Sequence, residues 1–216
     1  MEDLKKYINT LRKDFSLEQL NESIVDKDPI LQFTKWFKEA IDAQLPEPNA
    51  MVLSTANAMG KPSARVLLLR GFDANGFVFY TNYNSRKGKE ISQNPMAAMT
   101  FFWQALERQV RIEGILEKQK PEESDVYFKG RPRESKLGAW VSEQSAVVKS
   151  RAEIEIKLED LSKKYPGHDV PRPIFWGGYS LKPECIEFWQ GRPGRLHDRI
   201  VYTLKEAKWE IVRLAP

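Results

Sequence analysis

The chain has 216 residues, 41% of them apolar and 30% charged, which suits one sizeable core and excludes a disordered polymer. Its formal charge of +4, from 34 basic against 30 acidic residues spread evenly, excludes a broad nucleic-acid footprint. Cys185 is the single cysteine, so an intramolecular disulfide is impossible; two histidines and one cysteine argue against a His/Cys metal cluster and for an organic cofactor.

The amino terminus, Met1-Glu2-Asp3-Leu4-Lys5-Lys6, lacks the apolar core of a secretory signal, and no apolar run approaches the ~20 residues of a membrane span. The cytoplasm is therefore the expected location. The first 45 residues read as helical. A charged, weakly amphipathic stretch covers Glu2 to Phe15, and a loop or arm follows from Ser16 to Lys27. Asp28-Pro29 supplies an N-cap and a first-turn proline, after which Ile30, Leu31, Phe33, Thr34, Phe37, Ala40 and Ile41 predict one buried stripe.

From Ala50 to Lys118 the pattern is that of strands. Met51 to Ala56 and Ser63 to Phe72 flank a turn containing Gly60, and Asp73-Ala74-Asn75-Gly76 turns into Phe77 to Thr81. Ser85 caps a predicted short helix, Arg86 to Gln93, and Met96 to Trp103 with Arg108 to Lys118 predict a hairpin. Helices are predicted around Pro121 to Lys129, Glu134 to Val141 and Ser150 to Tyr165. Strands return at Cys185 to Trp189, Arg199 to Leu204 and Lys208 to Leu214. This order predicts a mainly β, α+β chain: antiparallel strands in a small barrel, with flanking helices. Residues 1–27 are expected to form an arm and residues 28–216 a single domain.

Glycine-rich nucleotide loops and the nucleophile elbow of hydrolases are absent, so a nucleotide-like ligand would have to be held by side chains on strands. Arg65 and Arg70 bracket an apolar strand and, five apart, face opposite sides; they either serve two anionic partners or lie at strand ends in solvent. Ser85-Arg86-Lys87 combines a helix start with two cations, which favours a bound phosphate over a solvated surface. Tyr127, Arg131 and Ser135 are spaced by four, but Pro132 predicts one helix ending near Gly130 and another starting at Pro132 or Arg133. The three polar groups then either converge on a phosphate from two helix ends or are ordinary loop residues. Gln144-Ser145 reads as a capping loop or as neutral hydrogen-bonding groups for a ligand. The alternation of Arg195, His197 and Arg199 predicts a cationic face on an extended segment, with Asp198 turned away and without a role.

At these residues the sequence closely resembles the pyridoxamine 5′-phosphate oxidase family. The matching stretches are Arg65–Arg70, Phe79–Asn82, Ser85–Lys87, Glu107–Val110, Tyr127–Ser135, Gly138–Ser142, Gln144-Ser145, Phe175–Gly178, Ile186–Gly191, Arg195–Arg199 and the terminal Arg213–Pro216. The resemblance implies a split β-barrel homodimer with FMN in clefts between subunits, oxidising pyridoxamine or pyridoxine 5′-phosphate to pyridoxal 5′-phosphate with O₂ as acceptor. It places FMN contacts on Arg65, Val66, Leu67, Leu68, Leu69, Arg70, Tyr80, Thr81, Arg86, Lys87, Gln109, Gln144, Ser145, Trp189 and Arg199. Substrate-phosphate contacts fall on Arg70, Tyr127, Arg131 and Ser135. Arg195, Leu196 and His197 fall at the pyridine ring, with Arg195 and His197 as the catalytic pair, and the arm residues Arg12, Lys13, Asp14 and Phe15 cover the site. Two positions depart from the family pattern: Arg70 stands where a lysine is usual and Phe15 where a tyrosine is usual. The competing expectation is a non-catalytic split-barrel protein that carries flavin or pyridoxal phosphate.

Overall fold

The structure is a computed structural model and describes residues 2–11, 14–167 and 169–216. Along the chain run α1 (Glu2–Thr10), α2 (Pro29–Asp42), β1 (Ala50–Ala56), β2 (Pro62–Leu68), β3 (Gly71–Asp73), β4 (Gly76–Asn82), α3 (Arg86–Gln93), β5 (Met96–Trp103) and β6 (Arg108–Lys118). They are followed by α4 (Pro121–Lys129), α5 (Arg133–Val141), α6 (Arg151–Lys164), β7 (Trp176–Gln190), β8 (Asp198–Lys205) and β9 (Lys208–Arg213). The strands hydrogen-bond in the order β2-β1-β5-β6-β7-β4-β3, with β8 on β7 and β9 on β8. Among the described residues no helix is long and apolar enough to cross a membrane.

Two compact units divide the chain. One comprises residues 1–48, 100–112 and 185–216, the other residues 49–99 and 113–184. In the first, α2 begins where the sequence places it: the Asp28 carboxylate accepts from the Ile30 amide at 2.8 Å and Pro29 opens the first turn. Its buried stripe is Pro29, Phe33, Trp36 and Ala40 with Gln32, rotated from the expected one; Leu31, Thr34 and Ile41 are exposed. The large indole of Trp36 fixes the rotation, meeting Phe188 edge-on at 5.2 Å while Phe33 meets Phe101 at 5.2 Å.

In the second unit, β1 and β2 form the expected hairpin, but the long strand predicted from Ser63 to Phe72 breaks after Leu68. The Leu69 amide still bonds Asn49, whereas the Arg70 amide bonds Val78, so the chain changes partner from β1 to β4 there. The predicted strand at Cys185 in turn starts nine residues earlier, at Trp176. Its first part pairs with β4 (Leu181 opposite Phe77) and its last part with β8 (Cys185 opposite Thr203). Pro183, which has no ladder donor, falls between the two registers. Gly177-Gly178 and Pro183 hide this strand in the sequence, yet both glycines are demanded by packing. A Cβ on Gly177 would lie 2.8 Å from the Tyr83 ring, and one on Gly178 2.7 Å from Gln119.

Candidate active site

The start of α3 gathers charge in the second unit. Ser85 caps the helix, its hydroxyl accepting from the Gly88 amide at 3.3 Å. The next turn carries Arg86 and Lys87. Lys87 is buried, and its ammonium donates to the hydroxyls of Thr81 (3.1 Å) and Ser85 (3.3 Å). Burial, with the Arg65 charge next, pushes this amine down to about 8, and Glu90 partly opposes the shift. Arg65, reaching in from β2, meets the buried Glu90 carboxylate at 3.2 Å; Arg86 meets the other carboxylate oxygen at 2.9 Å. The hydroxyls of Thr55 (2.5 Å) and Ser63 (2.6 Å) also donate to Glu90. Burial alone would raise this acid, but those hydroxyls and the two arginines bring it down to about 2. Three cations against one carboxylate leave a surplus positive charge here. The adjacent cavity, about 700 Å³, is lined by Arg86, Lys89, Ser142, Gln144 and Ser145. The Thr81 hydroxyl donates to Gln144 at 3.3 Å, which joins the predicted Gln144-Ser145 loop to β4.

A second cavity in the same unit, about 840 Å³, is lined by Val66, Leu67, Leu68, Arg70, Tyr80, Tyr127, Arg131, Ser135 and Trp176. α4 ends at Lys129, capped by Gly130, and α5 starts after Pro132, so Tyr127, Arg131 and Ser135 line one cavity from two helix ends. Arg133 fixes this junction, donating to the carbonyls of Gly167 (2.6 Å) and Tyr165 (3.0 Å) beyond α6. The Tyr127 ring stacks on Tyr80 at 3.7 Å, and the Arg131 guanidinium lies over Trp176 at 4.4 Å. One Arg131 nitrogen, Nη1, is buried with no hydrogen-bond partner. Burial depresses the Arg131 pKa; Tyr127 opposes the shift, and the neighbouring Arg70 charge adds a smaller lowering. Two arginines facing one cavity, one with an unsatisfied buried N–H, describe an anion site. Tyr80, pushed up to about 12 by burial and donating to Gln119 at 3.1 Å, stays a neutral phenol. The Arg65–Arg70 segment thus divides: Arg65 joins the Glu90 cluster, Leu69 enters the core, and the other four residues line the Tyr127 cavity.

The first unit holds the remaining predicted residues. Gln109 lies half-buried on β6 and Trp189 on β7. The Trp189 ring is 4.6 Å from His197, and Phe15 stands edge-on to both at 5.8 Å. Asp14, Phe15, Arg192, Arg195 and His197 line a cavity of about 830 Å³. His197 Nδ1 accepts from the Arg192 amide at 3.1 Å, and burial followed by the Arg195 charge lowers its pKa. The ring is therefore neutral near pH 7, with its proton on Nε2. Leu196 is exposed, and Arg12 and Lys13 lie outside the described residues.

The predicted extended face does not form. Pro193–Arg195 is a 3₁₀ turn with Arg195 at φ +63°, and β8 begins only at Asp198. Arg199 is not a free cation either: it pairs with the buried Glu187 through two bonds of 2.8 and 3.0 Å. Asp198, left without a role by the sequence, is tied to Arg213 at 2.6 Å and Arg192 at 3.5 Å. Sequence reasoning also missed Glu90 and Glu107. Glu90 had one local signal, its i+4 spacing from Arg86; Glu107 had none, because its partners lie 90 residues away.

These features define a class first: a split β-barrel chain with a cation cluster at a helix start and a separate anion pocket walled by aromatic rings. A family model for pyridoxamine 5′-phosphate oxidase matches residues 37–165, and one for the pyridoxine 5′-phosphate oxidase C-terminal dimerisation region matches residues 176–216. A pyridoxine/pyridoxamine 5′-phosphate oxidase of Paraburkholderia phymatum is 58% identical over 207 residues, covering 95% of this chain and 97% of the relative. One from a Nostoc species is 54% identical over 214 residues, covering 99% and 100%. Among solved structures, PhzG from Burkholderia lata, in complex with tetrahydrophenazine-1-carboxylic acid, superimposes with a TM-score of 0.87 at 28% identity, covering 93% of this chain and all of that one. An FMN-binding protein of Nostoc punctiforme related to pyridoxamine 5′-phosphate oxidase shares the fold (TM-score 0.71, 18% identity, 89% and 100% covered). The chain belongs to the pyridoxamine 5′-phosphate oxidase family.

Proposed function

We propose that this chain is an FMN-dependent oxidase that converts pyridoxamine 5′-phosphate and pyridoxine 5′-phosphate to pyridoxal 5′-phosphate, passing the electrons to O₂. The cofactor is FMN. The observation that carries the substrate reading is the Arg131 cluster: a buried, unsatisfied guanidinium N–H beside Arg70, Tyr127 and Ser135, which suits a phosphate monoester. The residues also fit FMN. Buried Lys87, hydrogen-bonded to hydroxyls rather than to a carboxylate, with Arg65 and Arg86 beside it, suits the cofactor phosphate, and Gln144 and Ser145 suit its neutral polar groups.

When bound, FMN supplies a hydride acceptor for the substrate C4′ carbon and a route for the electrons to O₂. Arg70, Tyr127, Arg131 and Ser135 hold the substrate phosphate. Arg195 presents a cation to the pyridine ring, and His197 offers its Nε2 proton to a polar ring substituent. Neither acts as a strong base: a guanidinium has no lone pair to offer, and burial weakens the hold of His197 on a proton. The match to a dimerisation region supports a homodimer; FMN in clefts between its subunits is part of the proposal. The PhzG likeness raises a carboxylated ring without phosphate as the alternative ligand; two arginines suit either anion, so the comparison of phosphorylated with unphosphorylated pyridoxamine separates the two readings.

The test is anaerobic. Purified holoprotein is expected to be yellow, and pyridoxamine 5′-phosphate is expected to bleach it while unphosphorylated pyridoxamine does so far more weakly. Flavin that stays oxidised under both would exclude the oxidase reading and leave a flavin carrier.

A further inference from the structure

Residues 14–28 form no helix or strand, yet side chains distant in sequence hold this stretch by its backbone. The carboxylate of Glu107, a residue only 3% exposed, accepts from the amides of Ser16 (2.8 Å) and Leu17 (3.1 Å). Arg192 donates to the Glu18 carbonyl at 3.1 Å. Asp198 accepts from the Leu20 amide at 3.1 Å, and Arg213 donates to the Leu20 carbonyl at 2.9 Å. Arg213 also grips the Glu22 carboxylate through two nitrogens, at 2.9 and 3.0 Å, while bonding Asp198 at 2.6 Å.

From these contacts we infer that Glu107, Arg192, Asp198 and Arg213 are positioning residues: they fasten residues 16–22 as a strap, and the strap sets Phe15 against Trp189 and His197. Fastening through main-chain groups fixes the path of the segment whatever its side chains, and charge-assisted bonds to amides are the stronger kind. Three features carry the effect from the strap to the rings. Phe15 directly precedes the first fastened amide. Gly191 leaves room for it, since a Cβ there would lie 2.7 Å from the Phe15 Cβ and Cγ. Arg192 grips the strap with its guanidinium while its own amide holds His197 Nδ1, so one residue ties the strap to the imidazole.

The inference deepens the proposed oxidase reading, because Phe15 and His197 line one cavity with Arg195, the residue proposed to face the pyridine ring. Hydrogen–deuterium exchange of the holoprotein reads the strap directly, and steady-state kinetics with pyridoxamine 5′-phosphate read its consequence. In Glu107→Gln and Asp198→Asn, exchange over residues 14–22 is expected to rise at least tenfold while that of β1–β4 is unchanged. KM is expected to rise about fivefold or more, by a larger factor than kcat falls. Gly191→Ala presses chiefly on Phe15, with the Glu107 Cβ at 3.1 Å, and keeps all four fastening side chains, so it is expected to raise KM with a smaller change in strap exchange than Glu107→Gln. If Glu107→Gln does not fold, Asp198→Asn, at a site less buried than Glu107, decides the matter. Wild-type exchange rates over residues 14–22 in the variants, or equal factors in kcat and KM, would overturn the inference. A wild-type chain that exchanges as expected yet never turns over pyridoxamine 5′-phosphate overturns the oxidase reading and leaves the strap standing.

Discussion

Replacing Arg131 with Ala separates a binding role from a structural one. The guanidinium is half-buried, lies over Trp176 at 4.4 Å, faces Arg70 across a cavity, and leaves Nη1 buried without a partner. In the free chain, removal forfeits a cation–π contact of about 0.5–2 kcal/mol. It also relieves an unsatisfied buried donor, whose cost is about 1–3 kcal/mol. These oppose each other, so stability is expected to fall by no more than about 1 kcal/mol, a drop in Tm within roughly 4 °C for a chain of this size. With substrate bound the balance differs. A charge-assisted bond to phosphate contributes about 1.5–3 kcal/mol, so KM for pyridoxamine 5′-phosphate is expected to rise about 10- to 100-fold. Unphosphorylated pyridoxamine has no such bond to lose, and its KM is expected to stay within about twofold. The assay is steady-state oxidation of both amines by wild type and Arg131→Ala, with thermal melts of each protein. An unchanged preference for the phosphorylated amine, or a Tm lowered by more than about 10 °C, would refute the reasoning.

Lys87 makes a pH-dependent prediction. Its folded pKa of about 8 lies below the ordinary 10.5, so the folded chain holds the proton less tightly than the unfolded one. The penalty for burying the ammonium is therefore full below pH 8 and disappears as pH rises to about 10.5. Melts of the flavin-free chain should accordingly show Lys87→Met more stable than wild type at pH 7, with the gap closing between pH 8 and 10.5; a gap that widens there would contradict the assignment. FMN affinity, followed by flavin fluorescence, is expected to fall as pH rises through 8 in wild type and to stay level in Lys87→Met. Gly88→Ala tests the start of α3. Its Cβ would overlap the Tyr83 backbone, which cannot yield as a side-chain tip can, at a cost of about 1–3 kcal/mol read as a lowered Tm. Gly71→Ala, with nothing within 4 Å of the added carbon, is the control expected to melt near wild type.

Local chemistry was legible in the sequence wherever a structure is decided by neighbours along the chain. Asp28-Pro29 and Ser85 start helices because a short polar side chain satisfies an amide two or three residues on. Pro132 separates α4 from α5 because it restricts the residue before it, and that is enough to bring Tyr127, Arg131 and Ser135 together. The motifs between Arg65 and Arg199 also carried the family. Partner choice was not legible. The break after Leu68 and the long reach of β7 depend on which strand accepts each amide, a choice made by segments as distant as Phe77 and Leu181. The fate of charge was hidden for the same reason. Spacing alone makes Arg199 a free cation and Asp198 idle; the fold pairs the first with Glu187 and gives the second to Arg213, Arg192 and the Leu20 amide. By itself the sequence determined the family to which the chain belongs and which residues to propose for its chemistry. Only the tertiary structure decided which charges are neutralised and which stay available, because burial and long-range pairing set the energy of a charge, and neither is written in local spacing.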